Sequence, residues 1–199
     1  MTEQITRCCW ANQTPLEAEY HDSEWGVPCK DDKVLFEFLI LEAAQAGLSW
    51  RTVLEKRQGY RHYYKDFDVQ QVANFTPEYL AQMLQDPAIV RNKLKVNGSV
   101  KNAKIFIQIQ QEFGSFAKYL WQFVDNKPLQ GKLTSYRDAP VESDVSKAIS
   151  KDLKKRGMSF VGPTIMYAYM QAVGLVNDHE VSCHCYANAV ALGEAFSIK

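Results

Sequence analysis

The stretch from Asp31 to Trp50, DDKVLFEFLILEAAQAGLSW, limits the possible folds of this chain more than any other. Acids suited to a helix N-terminus open it and Gly47 offers a C-terminal stop, so it reads as a helix. Val34, Leu35, Phe36, Phe38, Leu39, Ile40 and Leu41 put apolar side chains on every side of that helix, which a surface helix cannot sustain. Other elements must enclose it. The apolar run from Val34 to Leu41 is interrupted by Glu37 and is far too short to cross a bilayer, so the helix is a core element.

The enclosing elements also read as helices. Thr76-Pro77-Glu78 opens a run to about Leu84, and further helices are expected over Lys93 to Phe113, Phe116 to Val124 and Ser143 to Arg156. No sustained period-2 alternation appears, and Asp125 to Pro140, rich in turn formers and Lys, reads as a loop. The expectation is an all-α protein. A hydrophobic share of 46% against 23% charged residues excludes a disordered chain, and 199 residues suit one domain spanning residues 1–199 or two closely packed helical lobes. The N-terminal MTEQITRCCW lacks an apolar signal core, which points to a cytoplasmic protein without membrane attachment.

Four features carry chemistry. Cys8 and His21 near one end, with His179 and Cys183 near the other, form a donor set suited to tetrahedral zinc, although buried cysteines and surface histidines would read the same way. Cys9, His184 and Cys185 remain rival ligands, and only Cys29 stands apart from the two cysteine clusters. Glu42 follows Leu35, Phe38 and Leu39 at helical spacing, so a carboxylate points where an apolar stripe points; it is either functional or held in a structural ion pair. Glu37, about 140° around the same helix, reads as a structural or edge charge.

Trp10, Tyr20, Trp25 and Trp50 are the aromatic residues nearest these groups, and such a cluster forms either part of the core or the walls of a base pocket. The fourth feature is a helix, a Gly-bounded turn from Gly157 to Gly162 and a second helix from Pro163, together about residues 144–174. A helix-hairpin-helix of this kind binds phosphate through backbone N–H groups and a helix N-terminus, while its bland alternative is a solvated helix beside a tight turn. Lys147, Lys151, Lys154, Lys155 and Arg156 make a basic stripe leading into the turn. With formal net charge zero, any nucleic acid must be met by such a local patch.

Taken in order, Arg7-Cys8-x-Trp10, Tyr20-His21-Asp22-x-Glu24-Trp25-Gly26-Val27-Pro28, Gln45-Ala46-Gly47-Leu48-Ser49-Trp50 and Lys154-Lys155-Arg156-Gly157-x-x-Phe160-Val161-Gly162 resemble the 3-methyladenine DNA glycosylase I family. Gly174-Leu175-Val176-Asn177-Asp178-His179 followed by Cys183 extends the resemblance to about Tyr186. It implies a helix-hairpin-helix glycosylase fold with one structural zinc on the positions matching Cys8, His21, His179 and Cys183. It also implies a base pocket of Glu42, Tyr20, Trp50 and Trp10, to which Trp25 is added as the remaining member of the aromatic cluster. Glu42 would receive the exocyclic amine and ring N–H of the base and act electrostatically in catalysis.

By the same resemblance Gly47 and Leu48 face DNA, Leu48 filling the space the flipped nucleotide leaves, while Lys154, Lys155, Gly157 and Gly162 meet the backbone. The implied partners are double-stranded DNA containing 3-methyladenine and the free base as product, handled by a monomer. Asp178 is read as holding the imidazole of His179 and not as catalytic. Cys9 departs from the pattern, where a small residue such as Gly is common. The rivals are a glycosylase of broader alkylpurine range and a zinc-stapled DNA-binding module without catalysis.

Overall fold

A computed structural model describes residues 5–198 of the chain; the first four residues of the N-terminal segment lie outside them. The helix expected at the centre is there, as α2 (Asp32–Gln45), in which every residue from Leu35 to Ala44 is buried. Asp31 caps it by accepting from the backbone N–H groups of Lys33 and Val34. It ends before Gly47, whose φ of +82° breaks the helix, and Ser49 caps a second helix, α3 (Trp50–Tyr63), by accepting from Thr52 N. Sequence reading passed over α3 because its apolar stripe is thin: only Val53, Leu54, Arg57 and Tyr60 are buried.

Around α2 pack α3, the long α6 (Lys93–Phe113), α7 (Phe116–Trp121) and α9 (Pro163–Ala172). The short α1 (Pro15–Ser23), α4 (Val69–Ala73), α5 (Pro77–Met83), α8 (Asp144–Arg156) and α10 (Tyr186–Ala195) complete the shell. The all-helical expectation therefore holds, with one local exception inside the expected loop. There β1 (Leu129–Gln130) pairs in parallel with β2 (Val176–Asn177), Leu129 opposite Val176. Two residues are too few to show alternation, and this pairing fastens the loop beside the C-terminal half of the chain. No described helix is long and apolar enough to cross a membrane.

A buried ion network fixes α1, α2 and α3 to one another. Arg57 donates to both oxygens of Glu24 at 2.7 Å and through Nε to Glu37 at 2.8 Å, and its guanidinium lies 5.3 Å from the Phe38 ring centre. Arg61 adds a 3.1 Å bond to Glu37, which is thus structural, as its helical position suggested. Arg57→Ala leaves Glu37 with the Arg61 bond alone and frees the partly exposed Glu24, so it is expected to cost about 1.5–3 kcal/mol in urea denaturation. A loss below about 1 kcal/mol would show that the network is idle.

Candidate active site and metal cluster

One cavity of about 290 Å³ opens where α1, α2, α3 and α9 converge. Tyr20 projects from α1, Glu42 from the last turns of α2 and Trp50 from the first position of α3. Trp10, on a 3₁₀ turn (Cys9–Asn12), and Trp25, just beyond α1, supply further wall. The structure thus brings all five expected pocket residues together. The Tyr20 and Trp50 rings stand 5.2 Å apart, and Trp10 meets Trp25 edge-on, also at 5.2 Å.

The polar atoms of this cavity are its distinctive feature. Six buried side-chain polar atoms among the described residues lack a hydrogen-bond partner, and four of them belong to the cavity wall: Trp10 Nε1, Tyr20 Oη, Trp50 Nε1 and Glu42 Oε2. Buried polar groups are normally satisfied, so three donors and a carboxylate left free in one place describe a receptor for a hydrogen-bonding ligand. Burial alone pushes the Glu42 carboxyl up to about 8. Burial and the neighbouring Glu42 hold the Tyr20 phenol well above its ordinary range, which keeps it a donor.

Seven further wall residues complete the lining: Gln13, Glu17, Gln45, Ser49, Tyr136, Ala168 and Gln171. Glu17, one turn before Tyr20 on α1, accepts from the Thr14 hydroxyl at 2.8 Å and from Arg51 at 3.4 Å, and Gln13 accepts from Arg51 at 2.8 Å. Helical spacing from Tyr20 could have found Glu17. Tyr136 and Gln171 are joined by a 3.1 Å hydrogen bond and come from distant segments with no local signal.

Beside the cavity, Cys8, His21, His179 and Cys183 are all buried, and their donor atoms lie within 4.8 Å of one another. Cys183 Sγ is 3.5 Å from His21 Nε2 and 3.7 Å from His179 Nδ1, and Cys8 Sγ is 3.6 Å from the same Nδ1. The outer nitrogen of each ring is already engaged: His21 Nδ1 at 2.8 Å from Asp22 and His179 Nε2 at 3.1 Å from the Trp25 carbonyl. A proton on each outer nitrogen leaves both inner nitrogens as lone pairs aimed at the sulfurs, the arrangement a metal ion requires. Gly26 makes room for it, since its φ is +77° and a Cβ there would lie 2.9 Å from His179 Nε2.

The expected role of Asp178 is corrected by this geometry. Its Oδ2 accepts from Tyr167 at 2.6 Å and Gln171 at 2.8 Å, so it braces the cavity wall, while a backbone carbonyl orients His179. Asp22 is the carboxylate that holds an imidazole of the Cys/His cluster, that of His21. Cys9 belongs to none of the candidate metal groups among the described residues; His184 and Cys185 form only partly exposed ones.

The remaining predicted residues lie at the surface. Gly47 has open space around its Cα and Leu48 is exposed at the tip between α2 and α3. The turn after α8 begins with Gly157 at φ +102° and ends with Gly162, the N-cap of α9. Lys154 and Lys155 are exposed there. Two members of the basic stripe are otherwise occupied: Arg156 pairs with Glu112 and Asp152 and lies over Phe113 and Tyr119, and Lys147 pairs with Glu142.

Fold and cavity together define a helical protein with an aromatic-walled cavity that offers unpartnered hydrogen-bonding groups, at the small end of the ligand-site range. Residues 10–186 match the methyladenine glycosylase family. The chain is 46% identical to DNA-3-methyladenine glycosylase 1 of Escherichia coli over 92% of this chain and 97% of that protein. Among solved structures, a 3-methyladenine DNA glycosylase I is similar at a TM-score of 0.88 and 44% identity, over 91% of this chain and all of that one. The Staphylococcus aureus 3-methyladenine DNA glycosylase I, solved for the structural basis of 3-methyladenine recognition, is 34% identical with a TM-score of 0.88, covering 92% and 97%. The chain belongs to the methyladenine glycosylase family.

Proposed function

We propose that the protein hydrolyses the N-glycosidic bond of 3-methyladenine in alkylated duplex DNA, releasing the free base and leaving an abasic site. The observation that carries this reading is the convergence of unpartnered indole, phenol and carboxylate groups on one aromatic cavity. Family membership supplies the substrate class.

Methylation at N3 makes the adenine cationic, so when the C1′–N9 bond breaks its electron pair neutralises the leaving base. Water adds to C1′ and gives up a proton. The protein's main task is selection: flipping costs a few kcal/mol, least for a damaged base, and stacking on Tyr20, Trp50, Trp10 and Trp25 offsets it. Glu42 accepts from the exocyclic amine of the flipped nucleotide, whose positive charge its own charge favours, and from the amine and a ring N–H of the released base. Guanine presents a carbonyl where adenine has the amine, and two facing acceptors repel.

Cys8, His21, His179 and Cys183 are assigned to one zinc ion. Tetrahedral zinc with ordinary Zn–S and Zn–N bonds separates sulfur from nitrogen by about 3.6 Å, in line with the 3.5–3.7 Å found here. Zinc in a closed four-ligand site supplies a cross-link between the two ends of the chain, leaving the reaction to the cavity. The α8–turn–α9 unit is read as a helix-hairpin-helix whose backbone N–H groups, with Lys154 and Lys155, grip phosphate, while Gly47 lets Leu48 reach into the duplex.

Chromatography of bases released from methylated DNA tests the activity. Release of 3-methyladenine alone is expected; several alkylpurines would indicate a broad glycosylase, and no release a binding module. Replacing Lys154 and Lys155 by Ala should weaken binding to damaged and undamaged duplex alike and flatten the salt dependence by about two units of log–log slope. Free-base binding should not change. Undiminished DNA affinity across a salt series would place the interface elsewhere.

A further inference from the structure

Both loops assigned to DNA hang from one face of α6. Lys95 Nζ donates to the Ala44 carbonyl at 2.9 Å and the Ala46 carbonyl at 2.6 Å, closing the C-terminus of α2 immediately before Gly47 and Leu48. A cation there satisfies carbonyls that the helix leaves without donors and suits the negative end of its dipole. Asn102, two turns further along α6, engages both backbone polar groups of Ser159: Asn102 Nδ2 donates to the Ser159 carbonyl at 2.9 Å, and Ser159 N–H donates to Asn102 Oδ1 at 2.8 Å.

The hairpin is therefore gripped by its main chain, at a point where the next residue, Phe160, has φ of +57°. Gly98 lies between the two clamps on the same face, and a Cβ there would be 3.4 Å from the Phe160 ring. Seven residues of one helix set the clamps about 10.5 Å apart along its axis. Neither Lys95 nor Asn102 belongs to the cavity wall or the metal cluster.

We propose that Lys95 is a positioning residue for excision: through the end of α2 it holds Leu48 at a set reach from the phosphate-gripping hairpin, with α6 as the ruler between them. This rests on the assignment of Leu48 to the opened duplex. Backbone grip and wedge then arrive at the DNA in one rigid geometry. Without the ammonium, the 46–48 tip loses its fixed end, while Ser49 and Trp50 of the cavity wall stay held by the cap and first turn of α3, and cluster and hairpin stay in place.

Lys95→Met keeps the apolar stem and removes the charge; Lys95→Arg keeps a cation. Single-turnover excision from saturating methylated duplex should fall about ten- to a hundredfold in Lys95→Met and recover substantially in Lys95→Arg. Affinity for free 3-methyladenine and the salt slope of DNA binding should stay within about twofold of wild type. Leu48→Ala should slow excision as well, and the Lys95→Met/Leu48→Ala double variant should be no slower than Leu48→Ala alone, because both act through one side chain. If the two losses multiply, or free-base affinity falls with Lys95→Met, Lys95 only supports the fold and the inference is overturned. Normal excision in Lys95→Met with slow Leu48→Ala overturns it alone; normal excision in Leu48→Ala removes the assignment of the wedge and the inference with it.

Discussion

Glu42→Gln is expected to weaken free 3-methyladenine binding at pH 8.5 by about 1.5–3 kcal/mol, the worth of a charge-assisted hydrogen bond, and to lower single-turnover excision with it. The pH matters because burial raises the Glu42 carboxyl to about 8. Binding that uses the ionised form should strengthen about tenfold per pH unit up to that value and level off above it, with a proton released on binding at pH 7. The Gln variant should be flat over the same range. Calorimetry in buffers of different ionisation enthalpy reads the proton directly.

Stability should move the other way. An unfolded Glu ionises near 4.5 but this one ionises only near 8 when folded. The neutral side chain costs nothing below the lower value. As pH rises through the interval the unfolded state alone gains the charge, so wild type loses stability relative to Glu42→Gln, on the order of 5 kcal/mol at the upper end. Matching pH profiles of melting temperature and affinity for the two proteins would make Glu42 a satisfied structural carboxylate and move recognition of the base elsewhere.

Cys183→Ala should abolish metal binding and destabilise the fold. Freshly purified wild type should carry about one zinc per chain. Zinc at a thousandfold above its dissociation constant stabilises by about 4 kcal/mol, and the variant or chelated wild type should forfeit that amount. The loss should appear first in the segments carrying Cys8 and Cys183, which among the described residues are otherwise joined by a few hydrogen bonds, from the His184 N–H and ring to the Thr6 carbonyl and from the Cys9 N–H to Glu180, and by the His184–Asp22 pair. Metal-free protein of undiminished stability would sink the zinc assignment.

The central place of α2 was legible in residues because its evidence is local. Apolar side chains on all sides of one helix leave no choice but enclosure, and the residues buried are those the pattern named. Gly47, Gly157, Gly162 and Pro163 announced chain breaks for an equally local reason, since backbone freedom belongs to the residue itself. Helix α3 was obscured because its apolar positions, though helically spaced, are few: Val53, Leu54 and Tyr60 stand in an otherwise polar run, and the fourth buried position is Arg57.

Residue types and order supplied the candidate donors and pocket residues, and only tertiary structure could decide their partners. Glu42 and Glu37 share one helix five residues apart, yet Arg57 from α3 satisfies Glu37 while Glu42 Oε2 is left without a partner beside the cavity. Asp22 and Asp178 stand next to His21 and His179 in the chain, but only Asp22 reaches its neighbour's ring; Asp178 turns toward Tyr167 and Gln171. Arg156 reads as part of a basic stripe until Glu112, forty-four residues away, takes its charge. Sequence determines which groups a segment can offer and which way its helices break. Which of those groups is left unpaired depends on contacts between segments far apart in the chain, and an unpaired buried polar group is what makes a site.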